Sequence, residues 1–246
     1  MEKHESALNL QEQIKQLIDQ LAAIARTYKP SAETLEKIRD KKLVCLIGAT
    51  AVGKSSLMKE AIKDSEYVFS EVYSFTTRES RGEGDNYHFY KKTIENLQML
   101  VKRAQNGEMV NLFVHPDTGD VYGTWPEDFK EGINVLGATS QSFSKIAELP
   151  LDIKVIAIIT DPEVWKKRID EREDLTLEQR KLRAHEAEIS LNWCLEKYGV
   201  LFVNNSGPLA KTVESIIQIL DGSPPDQEEC RELAREMLKV AKLLQL

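Results

Sequence analysis

The chain has 246 residues, a formal net charge of −7 and a pI near 5.3, with 41% hydrophobic and 30% charged residues. That length suffices for one α/β domain with a full core plus appendages, and without a basic excess to displace counterions the chain is not a general nucleic-acid binder. No apolar run reaches membrane-spanning length, the first residues match neither a signal nor a transit peptide, and Cys45, Cys194 and Cys230 fit no disulfide or metal spacing. The expected setting is the reducing cytoplasm, with no membrane and no nucleic-acid partner.

Helical periodicity over 5–28 aligns Ala7, Leu10, Ile14, Leu17, Leu21, Ala22 and Ile24, and a second helix is predicted from Ser31 to Asp40, together an N-terminal helical extension, 1–40. From 41 to 221 strand-like and helix-like segments alternate. The strands are expected at Leu43–Ile47, Val72–Phe75, Met109–Val114, Asn134–Ala138, Lys154–Ile159 and Val200–Val203. Alternation of this kind predicts an α/β fold, a central parallel sheet wrapped by helices in three layers. Asp221-Gly-Ser-Pro-Pro225 breaks the pattern, and Asp226 can cap a last helix, 227–245, within a C-terminal segment, 222–246. The amphipathic terminal helices are expected to pack within the molecule, on their own domain or on one another, rather than to form a dimer seam. The oligomeric state stays open.

The segment Gly48-Ala49-Thr50-Ala51-Val52-Gly53-Lys54-Ser55 follows the first strand and opens a helix at Ser55. G-x-x-x-x-G-K-[ST] in this context is a phosphate-binding loop. Its glycines bring backbone N–H groups close to a phosphate chain where a Cβ would clash. Gly48, Ala51, Val52, Gly53, Lys54, Ser55 and Ser56 are the expected ATP contacts. Lys54 would neutralise the β- and γ-phosphates, and the Ser55 hydroxyl would ligate Mg²⁺. Cys45, inside the strand, reads as a small buried hydrophobe.

A second cluster lies at 74–90, where Arg78 and Arg81 stand three apart behind Thr76 and Thr77, with Tyr87 following. Planar guanidinium forks match phosphate oxygens in pairs, so the cluster can grip a second phosphate; a solvated polar loop has the same composition. The order GATAVGKSS, SFTTRESRGEGDNYHFY, Tyr122-Gly123-Thr124 and an arginine-rich stretch resembles the guanylate kinase family over about residues 42–221.

The resemblance implies a P-loop kinase fold with a small acceptor-binding lobe over 74–124 and a lid over 172–183. It implies ATP and Mg²⁺ as cofactors and GMP as the phosphorylated acceptor. By position it assigns Ser74, Arg78, Arg81 and Tyr87 to the acceptor phosphate, and Tyr122 and Thr124 to the lining of the acceptor site. Arg172 and Arg183 fall on the transferring phosphoryl group, with Arg180 replacing Arg183 if the register slips, and Asn204 on the adenine side. Lys54, Arg78, Arg172 and Arg183 are then the catalytic set, acting by positioning and charge neutralisation.

Three departures qualify this picture. The loop from Arg81 to Tyr87 is shorter than the family's. Asn111 occupies the place of a glutamate that accepts from guanine. Ala138 and Ser140 stand where the family has two aspartates. These point to altered base selection, or to a non-guanine acceptor such as ribose 1,5-bisphosphate, or to a non-catalytic interaction module. Trp125 is expected at the border of the acceptor pocket and Trp165 and Trp193 in the core; His88, His115 and His185 lack metal-ligand spacing.

Overall fold

The computed structural model describes residues 2–63, 67–80, 82, 87–171 and 176–245. Helices α1 (Glu2–Thr27) and α2 (Ala32–Ile38) lead into β1 (Lys42–Ile47) and α3 (Lys54–Lys63). Three short strands follow, β2 (Phe69–Glu71), β3 (Ser74–Thr76) and β4 (Tyr87–Phe89), then α4 (Ile94–Gln105), β5 (Asn111–Val114) and β6 (Val121–Thr124). The remainder is β7 (Ile133–Ala138), α5 (Ser140–Ile146), β8 (Asp152–Ile159), α6 (Pro162–Asp170), α7 (Leu177–Glu196), β9 (Leu201–Asn204), α8 (Leu209–Leu220) and α9 (Gln227–Leu243). Local chemistry sets several helix starts: the side chains of Ser31, Thr93, Asp161, Thr176 and Asp226 each accept from backbone N–H groups of the first turn. Among the described residues no helix is long and apolar enough to cross a membrane.

The chain divides into two compact units, Met1–Lys41 with Val72–Lys130, and Lys42–Glu71 with Glu131–Leu246. The second unit is built on a five-stranded sheet, order β2-β7-β1-β8-β9, with every pairing parallel. Leu43 to Ile47 are all buried, the unbroken apolar run required of a strand covered on both faces. The crossover from β1 through α3 runs toward one edge, and those after β7 and β8 run toward the other. Right-handed connections therefore put their helices on opposite faces. Accordingly α3 packs with α8, and α9 packs with α6 and α7, giving the expected three-layer α/β architecture.

The first unit holds a four-stranded sheet, order β4-β3-β6-β5. β3 runs parallel to β4, and the other two pairings are antiparallel. One sheet face, through Phe75 and Leu112, joins Leu97, Leu100, Val101 and Ala104 of α4 and Leu21 and Ala25 of α1 in one apolar cluster. The tail of α1 is also tied by polar bonds. The Tyr28 hydroxyl donates to the Met109 carbonyl at 2.6 Å and accepts from the Met109 N–H at 2.8 Å. The Ser31 N–H and the Thr34 hydroxyl both donate to the Gly107 carbonyl at 2.8 Å. Gly107, at φ +67°, leaves no room for a Cβ against the Ser31 nitrogen, 2.6 Å away.

Two expectations change. The predicted strand Val72–Phe75 is not one strand: the chain leaves the large sheet at Glu71 and joins the small one at Ser74, so an apolar run that reads as continuous spans a change of sheet. The terminal helices pack within the molecule, α1 on α4 and β5, and α9 on α7, α6, β8 and β9. Trp125 is a core residue, 6% exposed, stacked on Phe75 with ring centroids 4.5 Å apart and covered by the Arg103 guanidinium at 3.6 Å. Its cation–π contact and burial leave no face for a ligand.

Burial pushes the Tyr28 hydroxyl up to about 12, so it stays a donor at any working pH. Tyr28→Phe removes both bonds to Met109 and leaves a backbone pair unsatisfied. A loss of about 1–3 kcal/mol is expected, read as a lower urea midpoint at an unchanged m-value.

Candidate functional site

In the second unit the turn between β1 and α3 carries the unusual backbone that a phosphate loop needs. Ala51 stands at φ +66° and Gly53 at φ +94°, both in the left-handed region that lets successive N–H groups converge. A Cβ at Gly48 would meet the Ile158 carbonyl at 2.6 Å, and one at Gly53 the Asn205 amide at 2.5 Å. Both glycines are thus fixed by neighbouring protein atoms.

The loop is fastened through its carbonyls. Asn205 Nδ2 donates to the Val52 carbonyl at 2.7 Å, and Thr212 fixes that amide by donating to its Oδ1 at 2.9 Å. Arg168 Nη1 reaches the same Val52 carbonyl at 3.4 Å. Trp165, fully buried, donates its indole N–H to the Thr50 carbonyl at 2.8 Å. Asn205 sits just past β9, at the carboxyl end of a parallel strand where α/β sheets place their ligands, and holds the loop backbone rather than the base side. Asn204 itself is exposed and accepts from the Ser206 N–H at 2.9 Å and hydroxyl at 2.5 Å. The loop contact belongs to its neighbour.

Lys54 folds back over the loop, its ammonium donating to the Gly48 carbonyl at 2.6 Å and the Ala49 carbonyl at 3.0 Å. Burial pushes its pKa down to about 8, against the opposing pull of Glu186. Glu186 also accepts from Arg183 Nη1 at 2.7 Å, so the arginine and the loop lysine share one carboxylate's field. The Cys45 and Cys194 thiols are pushed up to about 12 by burial and remain neutral. Ser55 and Ser56 are exposed in the first turn of α3, which has no acidic residue to compete with an anion for the helix dipole.

Ala138 ends β7 directly beside Ile47, the residue before Gly48. Ser140 is buried at the start of α5, whose cap is Thr139 in a reciprocal pair with Ser142. Arg180 lies 3.6 Å from the Asp170 carboxylate. Arg172 and Arg81 fall outside the described residues.

In the first unit the register places Ser74 beside both Tyr87 and Thr124, and Thr124 beside Asn111. Leu112 is buried in the core while Phe113 is half exposed, so Asn111 and Phe113 line the face turned away from α1 and α4. The two threonines work locally: Thr76 Oγ1 accepts from the Arg78 N–H at 3.2 Å, and Thr77 bonds Val121 through both its hydroxyl and its backbone. Held this way, the Arg78 guanidinium lies 4.9 Å from the Tyr87 ring centroid and 5.5 Å from that of Phe89. Tyr87 packs against Tyr122 and Tyr122 against Phe113, each pair at 6.2 Å. Ser74 and Thr124 share a hydroxyl contact at 3.2 Å. The structure thus brings Ser74, Arg78, Tyr87, Asn111, Tyr122 and Thr124 onto one sheet face.

Compared with known proteins, the chain matches the sequence model described as Guanylate kinase over residues 40–222. It is similar to a guanylate kinase of Rickettsia typhi, 27% identical over 183 residues that cover 71% of this chain and 89% of the relative. A guanylate kinase of Prochlorococcus marinus is 28% identical over 193 residues, covering 72% and 97%. A solved sugar kinase from Janibacter sp. HTCC2649 aligns with 75% of this chain and 96% of its own at 14% identity and a TM-score of 0.37.

A polyphosphate in the loop would replace the Gly48 and Ala49 carbonyls as partner of Lys54 and favour its charged form. Above pH 8 the free protein holds Lys54 largely neutral, so ATP binding is expected to take up to about one proton per site there and almost none below pH 7. Calorimetry in two buffers of different ionisation enthalpy measures this, and affinity should fall as pH rises past 8. Binding at pH 9 without proton uptake would remove Lys54 from the phosphate contact.

Proposed function

The chain belongs to the guanylate kinase family, and from that premise we propose that it transfers the γ-phosphoryl group of ATP to a nucleoside monophosphate, GMP being the reference acceptor. The observation that carries this reading is the phosphate loop. Its carbonyls are bonded from outside by Asn205 and Trp165, and Lys54 rests on its rim. A loop retired from nucleotide binding has no need of that arrangement.

In this reading the loop amides and Lys54 hold the β- and γ-phosphates, Arg78 and Tyr87 orient the acceptor phosphate, and Arg183 with Arg172 neutralises charge on the transferring group. Arg81, Ser74, Thr124 and Tyr122 complete the acceptor side; Ala138 ends β7 beside the strand that leads into the loop, and Ser140 opens α5 just after it. Among the described residues no cluster of acidic, histidine or cysteine side chains gathers a metal. A lone hydroxyl, Ser55 Oγ, fits Mg²⁺ that arrives on ATP and keeps mostly phosphate and water ligands. Bound there, the ion would offset negative charge on the β- and γ-phosphates. With Asn111, Ala138 and Ser140 in place of carboxylates, guanine is read less strictly than in the family at large.

ATP consumption measured with GMP, dGMP, AMP, UMP, CMP and ribose 1,5-bisphosphate tests the reaction class, and no turnover with any of the six would sink it. Lys54→Ala is expected to lower turnover by about 10²-fold or more; wild-type ATP affinity and rate in this variant would disconnect the loop from the reaction. Arg78→Ala removes a charge-assisted contact of about 1.5–3 kcal/mol. Steady-state kinetics should show the acceptor KM raised by about tenfold or more with the ATP KM nearly unchanged. A rise confined to the ATP KM would overturn the division between the two phosphate sites.

A further inference from the structure

Strand β4 is a three-residue edge strand, paired on one side only, with β3. Its register sets Tyr87 beside Ser74, His88 beside Phe75 and Phe89 beside Thr76. Alternation sends Tyr87 and Phe89 to the open face, where the Arg78 guanidinium lies against both rings, and sends His88 to the opposite side with Phe75. There it meets a partner from far along the chain. A single 3-10 turn, Pro126–Asp128, follows Trp125, packs against α2 and is fixed by the buried Pro126 and Phe129. His88 Nε2 and Asp128 Oδ1 are 2.9 Å apart, and the Tyr73 ring lies beside the imidazole at 5.7 Å. A carboxylate only accepts, so Nε2 carries the proton and donates.

Exposed ion pairs contribute little, but the Asp128 side chain is only 12% exposed. Its second oxygen, Oδ2, is buried with no hydrogen-bond partner among the described residues. A carboxylate in that position depends on the donor it has, and removing the donor leaves a buried charge uncompensated. The bond therefore ties a thin edge strand to a rigid turn. We propose that His88 and Asp128 form a clasp that fixes β4 and so sets the Tyr87 and Phe89 rings against Arg78, which makes both of them positioning residues for the acceptor phosphate. Neither touches the ligand. A guanidinium held flat against two rings presents its fork with less freedom to lose on binding, and a small shift of the strand would misplace it. The inference rests on the transfer reading for the role of Arg78; the clasp itself does not.

The experiment combines hydrogen exchange over 87–90, calorimetry with GMP, AMP and ATP, and steady-state kinetics on the full chain. The Tyr90 N–H, bonded to the Thr76 carbonyl at 2.9 Å, is a convenient reporter at the end of the strand. His88→Leu is expected to speed exchange at 87–90. It should also weaken acceptor binding and raise the acceptor KM by about tenfold or more, with ATP affinity and exchange over 48–55 unchanged. His88→Gln, whose Nε2 can donate in place of the imidazole, should recover most of the loss. His88→Leu combined with Asp128→Leu strands no carboxylate, so it should unfold at a higher urea concentration than His88→Leu alone, yet bind the acceptor just as weakly. Unchanged exchange at 87–90 in a folded His88→Leu overturns the proposal, as does an equal loss of ATP and acceptor affinity. Recovery of acceptor binding along with stability in the double variant overturns it too, since the pair would then be structural only. Acceptor binding that responds as expected without turnover upholds the clasp and removes the transfer reading. Turnover with an acceptor KM indifferent to His88→Leu does the reverse, and a wild type that binds neither GMP nor AMP sinks both.

Discussion

A phosphate loop must keep its N–H groups unsatisfied and pointed inward, so its carbonyls have to be bonded elsewhere. The architecture of the second unit answers that constraint. The carbonyl of Thr50 is taken by a buried indole on α6, and that of Val52 by an amide at the end of β9, itself clamped by Thr212 on α8. Two elements distant in sequence therefore define a conformation that includes a non-glycine residue at positive φ. Such strain persists only where the surroundings over-determine it. The parallel sheet is what brings these supports to one edge, because all its strands end on the same side.

The small sheet meets the opposite requirement, a surface rather than a cradle. Its inner face is filled by Phe75 and Leu112 and closed by helices, so the outer face carries the polar and aromatic residues. Gly123 shows how closely the two faces are coupled. A Cβ there would collide with the Phe75 ring and come within 2.7 Å of the Asn111 carbonyl, so the backbone that carries the outer residues is pinned by the core behind it.

How far the sequence could be read follows from the range of each interaction. The first strand, the loop and the helix behind it were readable because their signals lie within one short window. So was the cap Asp226. Asn205, Arg168 and Trp165 were not, since their role depends on backbone carbonyls more than a hundred residues away. Trp125 misled for the same reason: adjacency to Tyr122-Gly123-Thr124 in sequence suggested the outer face, whereas strand alternation and the Phe75 ring turn it inward. The run Val72–Phe75 looked like one strand because β-propensity carries no information about which sheet a residue joins.

The small unit is sewn from two stretches of chain separated by β1, α3 and β2, and the Tyr28–Met109 bond closes 81 residues. During synthesis, α1 emerges long before the α4 and β5 surfaces that cover its apolar side. The central strand β1 likewise waits for β7 and β8, and β9 is later still. Neither unit can finish from a contiguous nascent segment, and each passes through a stage with exposed hydrophobic surface and an unpaired strand edge. Loop-closure entropy of this kind slows folding. The α1 side chains, far in sequence from α4 and β5, are thus part of a core that closes only after those later elements emerge.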